Sequence, residues 1–208
     1  MLKLRDGVSF HSGRALTAED VVATMTMAAK PTSGAQMARL LSRTSSIKGS
    51  GDREVTVTMD KPFVGILDAF AAIPIIDSTT FDDLESATKV IGTGPFVWKS
   101  WTPGKSIVLD RNPSYWNKDH PFLAGLDMSI IGDGQAVVAA LKAGDVALAT
   151  KVLARDAATL AEDSRFTVPD GPGQDLYVGV NVTTKPLDDV RVRRAIGMAL
   201  DRKRIAAQ

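Results

Sequence analysis

The sequence contains no cysteine, and its only histidines are His11 and His120. Without cysteine the chain can form no disulfide, no zinc–thiolate site and no thiol nucleophile, although this leaves its cellular compartment open. It also lacks an apolar segment long enough for a signal peptide or a membrane span. The formal net charge is +1, and the basic residues near the C-terminus are spread over predicted helical turns. Charge therefore gives no indication of binding to nucleic acid or to an anionic membrane.

The motifs of several enzyme classes are also missing. The sequence has no Gly-x-Ser-x-Gly elbow, no His-Glu-x-x-His pair and no dinucleotide-binding glycine fingerprint. Residues 104–106, Gly-Lys-Ser, resemble the end of a phosphate-binding loop, but Lys99 stands where that loop requires a glycine. A hydrolase or transferase that uses His11 or His120 with a nearby carboxylate remains one alternative. A structural or interaction module is another.

The sequence contains enough apolar residues to form a hydrophobic core, since 44% of its 208 residues are apolar. This length suits one large domain or two small ones. The central feature is the stretch 91–116, in which strand-favouring runs at 96–101 and 106–110 flank the tetrapeptide Thr-Pro-Gly-Lys at 102–105. Proline at the second turn position and glycine at the third predict a β-hairpin.

Aromatic side chains crowd this hairpin and the segment that follows it. Strict alternation along the first strand places Trp98 on one face and Trp101 on the other, and Tyr115 and Trp116 follow the second strand. We expect core and cross-strand packing from this cluster, with stacking on a ligand as the alternative.

Turn and cap signals predict the remaining elements. Before the hairpin we predict two short strands around Asp6–Gly7, a helix from its cap at Thr17 to about Ala29, paired strands over 46–48 and 54–59, and further helices over 35–41, 64–71 and 78–86. After the hairpin we predict strands over 126–131, 146–149, 166–168 and 176–180, and helices over 135–142 and 156–162, after Asp189 and after Asp201. Mixed strands and helices indicate an α/β fold.

Four blocks of sequence occur together in a recognisable order. They are LRDGVSFHSG (4–13) with LTAEDVV (16–22); GTGPF (92–96) with KSW (99–101) and RNPSYW (111–116); ALKAGDV (140–146); and Asn181 with KPLDDVRVRRAI (185–196) and DR (201–202). In this order they resemble the peptide/nickel class of extracytoplasmic solute-binding proteins. These are the receptors of ATP-driven importers for dipeptides, oligopeptides and nickel chelates. The resemblance spans nearly the whole chain.

The resemblance implies an incomplete fold of the type II periplasmic-binding-protein kind, with mixed sheets flanked by helices. Members of the family are much longer, so it also implies a signal peptide and an N-terminal portion before Met1 and a second lobe after Gln208. On the family's layout, residues 1–90 are a small accessory domain without its N-terminal part. Residues 91–200 are the central part of the first ligand-binding lobe, and residues 201–208 begin the connection to the second lobe.

The resemblance further implies a non-enzymatic importer component without a cofactor, located in the periplasm or otherwise outside the cytoplasm. Its expected partners are a peptide or small-molecule solute and, in the full-length protein, a permease; nucleic acid is not expected. Membrane association is expected only through the permease or a lipid anchor outside this chain. Asp175, Leu176, Tyr177 and Asn181 match a strand that lines the cleft in relatives, and we expect them to bind ligand. Independently of the family, Tyr177 and Asn181 are ligand candidates because they lie in a predicted strand beside a glycine-rich loop.

Overall fold

The computed structural model describes residues 1–30, 38–85, 89–150, 152–169 and 178–206. The chain forms two compact units, residues 1–130 and residues 131–208. The first unit combines helices with two three-stranded antiparallel sheets, here named sheet A and sheet B. In the described part of the second unit all regular secondary structure is helical. The predicted mixed α/β composition is confirmed.

The elements follow one another in the order that the sequence predicts over most of the chain. In the first unit they are β1 (Leu2–Lys3), α1 (Ala18–Ala28), α2 (Ala38–Leu41), β2 (Thr44–Ser50), β3 (Glu54–Met59), α3 (Ile66–Ala72), a 3-10 helix (Ser78–Thr80), α4 (Phe81–Glu85), β4 (Phe96–Thr102), β5 (Ser106–Arg111) and β6 (Gly125–Ser129). In the second unit they are α5 (Gly134–Ala143), α6 (Ala154–Ala161), α7 (Val190–Ala199) and α8 (Arg202–Ala206).

Sheet A has the strand order β1-β3-β2, and β3 pairs antiparallel with both neighbours. Leu2 lies opposite Val55 on one side of β3, and Lys48 lies opposite Thr56 on the other. Val55 is fully buried whereas Thr56 is exposed. The period-2 alternation of β3 therefore turns one face of the sheet towards the core, as predicted.

The core of the first unit lies between sheet A and the helices that cover it. Helix α1 begins after Thr17, whose backbone N–H and hydroxyl both donate to the Asp20 carboxylate at 3.0 Å. Both donors of Thr17 therefore have an acceptor at the helix N-terminus, which confirms the predicted cap. The buried apolar cluster comprises Ala18, Val21, Met25, Ala28, Leu41, Val55, Ile66, Ala69 and Ile73.

Sheet B is built on the predicted hairpin, with strand order β4-β5-β6. Its turn is closed by Lys105 N–H donating to Thr102 O at 2.9 Å, with Gly104 at a φ of 68°. The prediction that Trp98 and Trp101 lie on opposite faces is wrong. The register shifts between Trp98 and Ser100, and this β-bulge adds one residue to the strand. Both indoles therefore come to one face, where they meet edge to face at 6.3 Å.

The second unit differs most from the sequence-based expectation. Residues 146–149 and 166–168 are not strands, nor are 178–180, the described part of the predicted strand 176–180. A short strand is stable only when it pairs, and no described strand lies beside them. The helices are close to expectation: α5 ends at Gly144, whose φ of 81° gives a left-handed cap, and Asp189 caps α7 through its bond from Arg191 N–H at 2.8 Å.

Candidate functional site

Of the four residues predicted to bind ligand, the structure describes one. Asp175, Leu176 and Tyr177 lie outside the described residues. Asn181 is exposed, and its Oδ1 accepts hydrogen bonds from the Thr183 backbone N–H at 3.0 Å and from the Thr183 hydroxyl at 2.7 Å. Among the described residues nothing accepts a hydrogen bond from its Nδ2. Asn181 thus presents an amide donor on a turn that its own carbonyl oxygen stabilises.

The segment that carries Asn181 is attached to helix α7 by one arginine. Arg193, on that helix, donates from Nη1 to Leu187 O at 2.7 Å and to Asp188 O at 3.0 Å. A charged donor makes these bonds stronger than ordinary ones. These bonds hold the backbone at Leu187 and Asp188 to α7. Both ends of this contact lie within the block 185–196, which carries part of the family resemblance.

A buried ion-pair cluster in the first unit joins three residues that the sequence patterns did not connect. Arg14 donates from Nη1 to Asp20 Oδ2 at 3.1 Å and from Nη2 to Asp20 Oδ1, and its Nη2 and Nε also reach Asp77 Oδ1 at 2.7 and 3.1 Å. The side chains of Asp20 and Asp77 are 0% and 1% exposed. We call these three side chains the Arg14 cluster.

Burial and hydrogen bonding act in opposite directions on the two carboxylates of the Arg14 cluster. Burial raises the pKa of Asp20, but hydrogen bonds from Arg14, Ser78 and Thr17 outweigh it and hold this pKa at about 2. Burial likewise raises the pKa of Asp77, and the bonds from Arg14 and Thr79 hold it well below the usual range. Both groups are therefore ionised at neutral pH.

This cluster has the features of a structural ion-pair network. It joins the turn at Arg14, the N-terminus of α1 and the start of the 3-10 helix at Ser78. Among the described residues no buried side-chain nitrogen or oxygen lacks a hydrogen-bond partner. The two carboxylates thus already accept hydrogen bonds from groups of the protein itself, and we assign them no ligand.

His11, the first histidine considered for acid–base catalysis, has a structural role. Its Nδ1 lies 3.3 Å from the Gly92 backbone nitrogen, and its Nε2 lies 3.0 Å from Gly94 O. Asn112 Nδ2 donates to the same carbonyl oxygen at 2.9 Å. Both ring nitrogens hold the segment that leads into β4, which leaves neither of them for a substrate.

His120 likewise has no contacts of the kind that acid–base catalysis requires among the described residues. It is exposed, and its ring packs against Phe122 with centroids 4.6 Å apart. Within the described residues its ring makes no hydrogen bond to a carboxylate. The combination of a histidine with a nearby carboxylate, which the hydrolase or transferase alternative requires, is therefore not found at His11 or at His120.

An open groove of about 530 Å³ lies beside β1 and is lined by Lys3, Leu4, Arg5, Asp6 and Trp116. The Arg5 guanidinium stacks on the Trp116 ring at 4.0 Å from its centroid, and Asp6 pairs with Arg53. The aromatic face and the acid are thus occupied by neighbouring side chains.

Among the described residues, no group of three histidine, aspartate or glutamate side chains is placed to hold a metal ion. The described helices include none with the length and apolarity of a membrane span.

Comparisons with known proteins identify the family of this chain. The family described as "Bacterial extracellular solute-binding proteins, family 5 Middle" matches residues 1–208. The chain is 33% identical to the oligopeptide-binding protein AppA of Bacillus subtilis, over 100% of this chain and 40% of that protein. It is 24% identical to the glutathione-binding protein GsiB of Escherichia coli O1:K1 / APEC, over 97% of this chain and 40% of that protein.

The solved structures agree with the sequence comparisons. The structure of Bacillus subtilis AppA in complex with a nonapeptide superposes with a TM-score of 0.81 and 29% identity, over 99% of this chain and 43% of that one. The fold is accordingly that of a type II periplasmic binding protein, of which this chain spans a part. It covers about two fifths of the length of the curated relatives that it matches. The chain belongs to the bacterial extracellular solute-binding proteins, family 5, and corresponds to the middle part of that family.

Proposed function

We propose that the protein to which this chain belongs is the substrate-binding component of an ATP-driven importer for peptides or related small solutes, nickel chelates included. The observation that carries this proposal is the match of family 5 over the entire chain, together with 33% identity to an oligopeptide-binding protein. In this role the protein works outside the cytoplasm and needs no catalytic residue. The structural roles of His11 and the Arg14 cluster agree with such a role.

Solute is enclosed between two lobes that close about a hinge, and the closed form is recognised by a membrane permease. Within this chain we assign residues 1–90 to a small accessory domain, 91–200 to the central part of the first lobe, and 201–208 to the connection to the second lobe. Membrane association follows from the permease, or from a lipid anchor outside this chain.

The residues of this chain that line the solute cleft are Asp175, Leu176, Tyr177 and Asn181. Support for Asn181 comes from its exposed position and from its side-chain Nδ2, which has no described acceptor. An amide donor of this kind can bond to a peptide carbonyl group. The phenol of Tyr177 offers a second polar contact and an aromatic surface.

Calorimetric titration tests the proposal with two proteins, the full-length protein and the 208-residue chain. The full-length protein should bind at least one member of a panel of dipeptides, oligopeptides, glutathione and nickel–histidine. The 208-residue chain should bind the same ligand weakly or not at all, because one lobe alone cannot bury a solute. Failure of the full-length protein with the whole panel would overturn the function, whereas micromolar binding by the 208-residue chain would overturn the two-lobe assignment.

Asn181→Ala in the full-length protein tests the site itself. Loss of one hydrogen bond to a buried ligand predicts an affinity lower by about fivefold, equivalent to roughly 1 kcal/mol. Thr184→Ala is the matched control, because Thr184 is exposed on the same turn and contributes through its backbone only. If both variants bind as the parent does, Asn181 is not part of the cleft.

A further inference from the structure

The groove beside β1 carries an excess of positive charge. Its lining includes two cations, Lys3 and Arg5, and one acid, Asp6, which already pairs with Arg53. In the part of the chain that the structure describes, neither Lys3 nor Arg5 forms an ion pair or donates a side-chain hydrogen bond. Two cations with unused donors therefore lie in one groove, where they attract negative charge.

The backbone of β1 places these two cations on the same side. Leu2 and Leu4 pack against the core, and Leu4 N–H donates to Arg53 O at 2.8 Å, so the extended pairing continues past Lys3. Successive side chains of an extended strand point to opposite faces. Lys3 and Arg5 therefore share the outer face, and both are exposed there.

Trp116 holds the guanidinium of Arg5 in a defined position. The Arg5 Cζ lies 4.0 Å from the centroid of the Trp116 ring, which in turn lies 5.3 Å from the ring of Tyr115. Stacking uses the face of the guanidinium and leaves the N–H groups along its edge available. Because this side chain is already ordered, an anion that binds to it causes a smaller loss of conformational entropy.

The dimensions of the groove suit a small ligand. Its volume of about 530 Å³ lies within the range that is usual for small-molecule sites. Leu4 and Trp116 add apolar surface to the lining, which can contact the carbon skeleton of an organic anion. The groove is open, so a bound anion keeps contact with water and the expected affinity is modest.

We propose that this groove is a binding site for a small free oxyanion, a phosphate or a carboxylate, held between Lys3 and Arg5. Arg5 presents a planar fork of donors that matches two oxygens of such a group, and Lys3 adds a point charge. The site shares no residue with the proposed solute site. It can therefore be tested whether or not solute binding is established.

Titration of the full-length protein with sodium phosphate, followed by NMR, tests the proposal. The indole N–H signal of Trp116, assigned by its loss in Trp116→Phe, should shift and saturate with a Kd on the order of 1 mM. Sodium acetate should shift the same signal, whereas sodium chloride at equal ionic strength should not. The signals of Trp98 and Trp101, which do not line the groove, should stay in place. A shift that chloride reproduces, or the absence of a saturable shift, would overturn the proposal.

Substitution of each cation measures its contribution. Arg5→Gln should weaken phosphate binding at least about tenfold, because it removes both the charge and the fork of donors. Arg5→Lys keeps the charge but loses the fork and the stacking, and should weaken binding several-fold. Lys3→Gln should also weaken it several-fold. Lys48→Gln is the matched control and should bind as the parent does, because Lys48 is exposed on the same sheet but does not line the groove.

Two results with these variants would also refute the site. Equal losses in Lys3→Gln and Lys48→Gln would show that phosphate responds to the overall charge of the protein. Full affinity in Arg5→Lys would show that neither the fork nor the stacking takes part. Unchanged indole signals of Trp98 and Trp101 verify that each variant is folded.

Discussion

Replacement of Arg14 by glutamine should destabilise the first unit more than the loss of an exposed surface ion pair would. The change removes the guanidinium that donates to two carboxylates, Asp20 and Asp77, whose side chains are 0% and 1% exposed. Loss of one partner from a buried ion pair costs about 3–5 kcal/mol. Arg14 itself is 35% exposed, so water can partly replace it. We therefore expect a loss of about 3 kcal/mol in the free energy of unfolding.

The pH dependence of stability provides a second measure of the same cluster. The pKa of Asp20 is about 2 in the folded chain, compared with an ordinary value of 3.8. A lowered pKa in the folded state means that the stabilisation is complete above about pH 4 and is lost as the pH falls towards 2. A difference of nearly two pKa units is worth about 2 kcal/mol. In Arg14→Gln the pKa of Asp20 rises, so this pH-dependent part of the stability becomes smaller.

Urea unfolding followed by tryptophan fluorescence is the appropriate assay. All three tryptophans, Trp98, Trp101 and Trp116, belong to the first unit, so the signal reports that unit alone. Lys99→Gln is the matched control because it breaks the surface pair of Lys99 with Asp110, whose side chains are 57% and 56% exposed. Such pairs contribute about 0–1 kcal/mol.

The reasoning would be refuted by either of two results. One is a loss in Arg14→Gln no greater than in Lys99→Gln, which would mean that solvent or other groups satisfy the carboxylates. The other is an unchanged slope of stability between pH 4 and pH 2, which would mean that Arg14 does not lower the pKa of Asp20. A double-mutant cycle of Arg14→Gln with Asp20→Asn measures the coupling directly.

Two packing predictions use the same unfolding assay. Gly125→Ala should cost about 1–3 kcal/mol, since an added Cβ would lie 2.6 Å from Leu109 O, whereas a Cβ at Gly94, also in the first unit, meets nothing within 4 Å and Gly94→Ala should be nearly neutral; equal effects would contradict the close approach. Leu41→Ala should cost about 2–5 kcal/mol because Leu41 is 0% exposed, and Leu67→Ala, at a site 63% exposed, should cost well under half of that. A similar loss in the two leucine variants would mean that Leu41 is not a core residue.

The elements that could be predicted from the sequence are those that local chemistry specifies. The hairpin turn closes at Gly104, helix α1 begins after Thr17, and α5 ends at Gly144, each as expected. In each case one or two residues at a fixed spacing determine the backbone conformation. The long-range features were not predictable in this way. Asp77 meets Arg14 across 63 positions of sequence, and Thr24 exchanges hydrogen bonds with the Ile76 backbone across 52.

The candidate site shows the same division between local and long-range information. Asn181 was predicted as a polar residue beside a glycine-rich loop, and its turn with Thr183 follows from the ordinary preference of asparagine for such turns. The strand on which the prediction placed it is not formed by the described residues 178–180. Strand pairing depends on a partner that is distant in sequence, so residue preferences alone cannot establish it. The proposal that Asn181 binds ligand therefore rests on the family resemblance.

The block 4–22, which carries much of the family resemblance, is structural in every contact that the described residues make. His11 holds Gly92 and Gly94 at the entry to β4, and Arg14 holds Asp20 and Asp77. Such residues identify a fold because that fold needs them, not because they meet the solute. A motif with a structural role can therefore occur in receptors for different solutes. Substitutions at His11 and Arg14 should accordingly lower the stability of the full-length protein while leaving its choice among ligands unchanged.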